Sequence, residues 1–184
     1  MWDCLGADTS RAGGVFHAPG AISRTGPAAG GRNDGMFVKQ ISVFLENNKG
    51  TLAKVTRLLS DHGLDLIALS IADTRDFGIL RGIVSDTEKA REVLKDAGYT
   101  VRLTDVLAVC VPDLPGGLSA VLSLLDDENI SVEYLYSFVR SAGTTGATGK
   151  HALIILRVEE PERARDVLLA HDVKLMDDGQ VRAL

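Results

Sequence analysis

The chain has 184 residues, a net charge of −5, and a composition that is 45% hydrophobic and 24% charged. That balance is that of one large or two small folded domains and excludes wholesale disorder. The acidic charge argues against nucleic acid or membrane as a partner. Two cysteines without CxxC spacing, Cys4 and Cys110, exclude a disulfide scaffold and a zinc ribbon and fit a reducing compartment, the cytoplasm.

Residues 1–35 hold eight of the nineteen glycines and show neither a helical nor a strand period. Such a segment cannot bury enough apolar surface to offset its ordering entropy, so a disordered tail is expected. A second reading is that the natural start is Met36, where regular pattern begins. Gly31 and Arg32 just upstream could be encoded by a purine-rich, ribosome-binding-like run.

From Met36 onward one pattern is written twice. A strand is expected over 37–45, rich in β-formers. A slide of 66 residues lays Leu52, Val55, Leu58, Leu59 and Asp61 on Leu118, Val121, Leu124, Leu125 and Asp127. The apolar spacing is one stripe of an amphipathic helix. Gly63 and Asn129 are the expected stops of the two helices, since both tolerate positive φ. Strands follow over 64–70 and 130–136, then over 78–84 and 152–158. A slide of 74 lays Glu88, Ala90, Arg91, Val93 and Leu94 on Glu162, Ala164, Arg165, Val167 and Leu168, a second helix in each copy. Short strands near 99–103 and 173–176 close the copies, and 106–111 opens the second. Both read β-α-β-β-α-β, so the expected fold is α+β: two ferredoxin-like units, 36–103 and 104–184, joined near Thr104. Each would have a four-stranded antiparallel sheet with two helices on one face. The other face must then be wet, or covered by the partner unit or another chain. Side-by-side joining of the sheets, together with homodimerisation, is expected. Residues 36–103 carry a net +1 and 104–184 a net −6.

Fold alone decides no function. An RNA-binding unit would need aromatics on the strand 78–84 and a basic surface, and the sequence has neither. A copper carrier would need CxxC, and an acylphosphatase-like enzyme an arginine, in the first loop. Those loops read Asn47-Asn48-Lys49-Gly50 and Asp113-Leu114-Pro115-Gly116. A loop of acidic or amide residue, Pro-Gly, then a leucine opening a helix is the pattern by which residues 36–184 resemble a tandem pair of ACT domains, the small-molecule regulatory modules of amino-acid metabolism. Asp113 to Leu118 matches closely. Asn47 to Leu52 has Lys49 where proline is common. The chain looks most like free-standing bacterial tandem-ACT proteins. The resemblance implies a non-catalytic amino-acid sensor acting through ligand-dependent association, with no cofactor and no metal. Its implied partners are an amino acid or related metabolite, a second copy, and in one reading a metabolic enzyme.

The loop chemistry suits a zwitterion. Helix starts present open N–H groups and partial positive charge to a carboxylate. Asn47, Asn48 or Asp113 could accept from an ammonium group, and Gly50 and Gly116 leave the backbone approachable. Thr51, Leu52, Gly117 and Leu118 complete the helix starts. The resemblance adds a lining from second strands: Leu69, Ser70 and Ile71 in one copy, Tyr134, Leu135 and Tyr136 in the other. A plainer reading stays open: an N-cap with turn glycines, and tyrosines that pack on a helix or at a subunit contact. If the second strands meet, Ala68 and Ser70 would give a roomier site than Tyr134 and Tyr136.

Other motifs carry less. The segment ending Gly149-Lys150 lacks the leading glycine of a phosphate loop, since position 144 is threonine, and His151 stands where Ser or Thr is required. His62 and His171 fall near helix ends, and Cys110 reads as a small core or interface residue. Asp126, Asp127 and Glu128 read as a solvated helix end. Asp73, Asp76 and Arg81 around the first hairpin read as polar contacts across an interface.

Overall fold

The element order is β1 (Val38–Glu46), α1 (Thr51–Asp61), β2 (Leu66–Asp73), β3 (Phe77–Val84), α2 (Thr87–Asp96) and β4 (Thr100–Pro112), then α3 (Gly117–Asp127), β5 (Val132–Ser137), β6 (His151–Val158), α4 (Pro161–Ala170), β7 (Leu175–Met176) and α5 (Asp178–Arg182). This computed structural model describes residues 36–73, 77–137 and 151–184. The expectations for the tail 1–35, for Asp76, for the Asp73 side chain and for the loop 143–150 lie outside what is described. The doubled βαββαβ order is present as two ferredoxin-like repeats.

The repeated stripes are the cores. Val55 and Leu59 of α1, with Ala90 and Leu94 of α2, pack on Ile41, Val43, Leu80 and Val84 of the first sheet half. Val121 and Leu125 of α3, with Ala164 and Leu168 of α4, pack on Leu107, Val109, Val111, Ile154 and Leu156 of the second. Burial of each large side chain contributes roughly 1.5–3 kcal/mol. Gly63 and Asn129 follow their helices with φ of 70° and 55°, the left-handed conformation that ends a helix.

The sequence suggested separate strands near 99–103 and 106–111, but β4 runs unbroken over both. Its first part pairs with β1, from Val38↔Val106 to Phe44↔Thr100. Its second part pairs with β6, from Leu107↔Leu156 to Pro112↔His151, and with β7 at Ala108 and Val109. One seven-stranded sheet results, in the order β2-β3-β1-β4-β6-β5 with β7 on β4. The sheets are thus joined as expected, but the joined sheet also curls. Its two ends, β2 and β5, approach each other, and the faces without helices turn inward. Side chains alternate along a strand, so Val38, Gln40, Ser42, Ile83, Val106, Ala108 and Ile155 are inner-face residues. All are buried.

A second tie lies at the chain's end. Asp177 caps α5 through a reciprocal pair with Gln180. This sets Asp178 to accept from the Lys39 amide at 3.1 Å. Arg182 donates to the Thr87 hydroxyl at 2.6 Å, to the Val84 carbonyl and to the Asp178 carboxylate. The last helix of the second repeat thereby clasps the first.

Candidate functional site

The two helix-start loops are built alike. Gly50 and Gly116 are the N-cap residues, with φ of 83° and 92°, and no side chain caps either helix. Asn47, Asn48 and Asp113 therefore do not act as caps. By contrast, Asp86 caps α2 through the Lys89 amide and Asp177 caps α5. The Thr51 and Gly117 amides donate back to the Asn48 and Leu114 carbonyls at 3.2 and 3.0 Å. The amides of Leu52, Ala53, Leu118 and Ser119 have no acceptor among the described residues. Each loop thus leaves two outward N–H donors in the positive end of a helix dipole.

Open space surrounds Gly50 and Gly116, so it is their φ that calls for glycine. At Gly117 the reason is packing, since an added Cβ would lie 2.1 Å from the Pro112 carbonyl oxygen. Asp113, Leu114, Pro115 and Gly116 are exposed, as are Asn47 and Asn48. Asn48 differs from its counterpart by donating to the Glu46 carboxylate at 2.9 Å.

The second-strand residues divide between two faces. Leu69 packs with the first repeat's core on the helix side, where Ile71, at the same parity on β2, is exposed. Leu135 lines a shallow groove with Leu122, Ile130 and Val132, and this adjoins a depression along α3 that contains Leu118. Ser70, Tyr134 and Tyr136 alternate to the inner face.

There the two tyrosines meet Gln40. Gln40 Nε2 donates to the Tyr134 hydroxyl at 2.8 Å and to Ser42 Oγ at 3.1 Å. The Tyr136 hydroxyl donates to Gln40 Oε1 at 2.9 Å. Gln40 has no solvent exposure, a site that tolerates a polar group only because it is fully hydrogen-bonded. Burial pushes the Tyr136 phenol well above the ordinary tyrosine range. Tyr134 pushes it the same way and Arg81 opposes. Arg81 lies over the Tyr134 ring, 4.1 Å from its centroid. The tyrosines therefore touch the other repeat, the Tyr136 hydroxyl donating to Gln40 and the Tyr134 hydroxyl accepting from it. The reading of Arg81 as a contact across an interface agrees with this geometry. Gln40 itself went unmarked in the sequence. The available signal was one amide among the β-formers of 37–45, at an inward position.

Among the described residues no group of three His, Cys, Asp or Glu side chains is placed to hold a metal. No helix of the described residues is long and apolar enough to cross a membrane.

A doubled α+β module with paired, uncapped helix-start loops is the class that this geometry defines. Residues 36–184 match the family described as ACT domain pair, and the chain belongs to that family. A crystal structure of protein BT0572 from Bacteroides thetaiotaomicron is 39% identical, with a TM-score of 0.73, covering 81% of this chain and 98% of that one. The ligand-free regulatory subunit of aspartate kinase from Thermus thermophilus is 15% identical, with a TM-score of 0.53 over 72% and 91% of the two chains. That of Thermus flavus is 17% identical, with a TM-score of 0.50 over 72% and 92%. These last two establish likeness of fold. A comparison with curated proteins finds no match.

Proposed function

We propose that the chain is a non-catalytic regulatory protein of the cytoplasm that binds an amino acid or related metabolite at its helix-start loops and relays binding through association with a second copy. The two units of the pair are taken as 36–103 and 104–184, with their junction inside β4. The observation that carries this reading is the pair of open amides at each of two uncapped helix starts, Leu52 with Ala53 and Leu118 with Ser119. A ligand carboxylate would take these donors. Asp113, exposed beside them, would take the ammonium group. The Asn48 amide is engaged with Glu46, so the second loop is the better site.

A thermal-shift screen of the whole chain against the twenty amino acids, read with a dye, tests this. Ligand at a hundred times Kd stabilises the native state by about 2.7 kcal/mol. A rise in Tm with one or two amino acids, lost in Asp113→Ala and Gly116→Ala, is expected. A flat screen on folded protein overturns the reading and favours the second one, an interaction module on a metabolic enzyme. That alternative draws support from exposed apolar side chains, Leu114 at 68% and Ile71 at 46%.

A further inference from the structure

Val101 and Leu103 pack with the helices of the first repeat, so Arg102 between them projects to the inner face. Leu80 is likewise on the helix side, and Arg81 lies on the inner face against Tyr134. The register places Ser70, Arg81, Ser42 and Arg102 in one row across β2, β3, β1 and β4. Ser42, between the two arginines, is buried. The arginines flank it with Cα atoms about 10 Å apart, two strand spacings. Side chains of that length can converge on one small ligand.

Neither arginine has a carboxylate partner among the described residues, although Arg91, Arg157, Arg163, Arg165 and Arg182 all do. On the inner face of the first repeat the described carboxylate is Glu46, four residues beyond Ser42 on β1, and it accepts from Asn48. Glu133 of β5 is held by Arg157. The Tyr134 hydroxyl accepts from Gln40, and its own hydrogen has no acceptor among the described residues. At the β4 end of the row Arg102 is exposed. Beyond the row Phe44 is 43% exposed.

We infer that Arg81, Arg102 and the Tyr134 hydroxyl form a binding site for a small anion with two negative charges, a dicarboxylate or a phosphate compound. Guanidinium forks bind such oxyanions in bidentate fashion. The phenol adds a donor, and the half-buried position of Arg81 lessens the screening of its charge by salt. The site shares no residue with the helix-start loops and does not rest on the amino-acid reading.

Calorimetric titration of the whole chain at low ionic strength, with succinate and separately with inorganic phosphate, tests the inference. One of the two is expected to bind, and which one does so tells carboxylate from phosphate recognition. Arg102→Gln changes an exposed side chain and should fold normally. It should weaken binding about tenfold or more, and so should Arg81→Gln. Arg91→Gln, which removes an arginine on α2 that is paired with Glu88, should leave the affinity unchanged. No binding of either probe to the natural chain, or equal binding by Arg102→Gln, overturns the inference whatever the amino-acid screen returns.

Discussion

Replacing Gln40 with leucine keeps most of the side-chain volume and deletes three hydrogen bonds, to Ser42, Tyr134 and Tyr136. Tyr136 is 8% exposed, so its hydroxyl would be left buried without an acceptor, at a cost of about 1–3 kcal/mol. The bonds to Ser42 and Tyr134 contribute about 0.5–1.5 kcal/mol each. Tyr134 is only half-buried and recovers part of its share from water. A net loss of about 2–4 kcal/mol follows. Adding Tyr136→Phe to Gln40→Leu removes both ends of the Tyr136 bond, and this should restore about 1–2 kcal/mol of that loss. Urea unfolding followed by far-ultraviolet circular dichroism, run as a double-mutant cycle, measures both quantities. A single-variant loss below about 0.5 kcal/mol, or strictly additive effects of the two substitutions, would refute the view that Gln40 ties the repeats together.

Three further outcomes are expected. Gly117→Ala, whose Cβ would press on the Pro112 carbonyl, should cost about 1–3 kcal/mol, measured as a lower urea midpoint; a midpoint equal to that of the natural chain would contradict the tight turn. Leu125→Ala, at a site with no exposure, should cost about 2–5 kcal/mol by leaving a cavity, and calorimetric melting reads this directly. For Asp178, desolvation raises the carboxyl, but the hydrogen bonds from Arg182 and the Lys39 amide, with the charges of both residues, outweigh it and hold the group below its ordinary value. A depressed folded value means stability that is present above the unfolded pKa of about 3.9 and lost as pH falls through the folded value. Asp178→Asn should therefore flatten stability against pH below about 4, and an unchanged slope in a urea series at several pH values would count against the clasp.

The local elements were legible because their signals are local. The stripe Leu52, Val55, Leu59 and its copy Leu118, Val121, Leu125 write the helix period directly, and Gly63 and Asn129 mark the stops that the left-handed φ values display. Repetition at matching distances then carried the doubled βαββαβ order and the family. The loops at Gly50 and Gly116 were legible for the same reason, since both copies write them.

Other features depend on residues far apart in the chain. Nothing near Thr104 shows that two expected strands run together, because that depends on β1 and β6 both pairing with β4. The inward turn of the sheet puts Gln40 against tyrosines 94 and 96 positions away. Arg182 reaches Thr87 across 95. Sequence periodicity reports which face of an element is apolar. It holds no record of which distant face meets it, because that choice is made by burial of the whole curled sheet and by the need of each buried polar group for a partner. The amino-acid sequence by itself determined the two repeats, their helices and their loops. The tertiary structure alone decided the shared strand, the closure of the repeats on Gln40 and the row of arginines beside it.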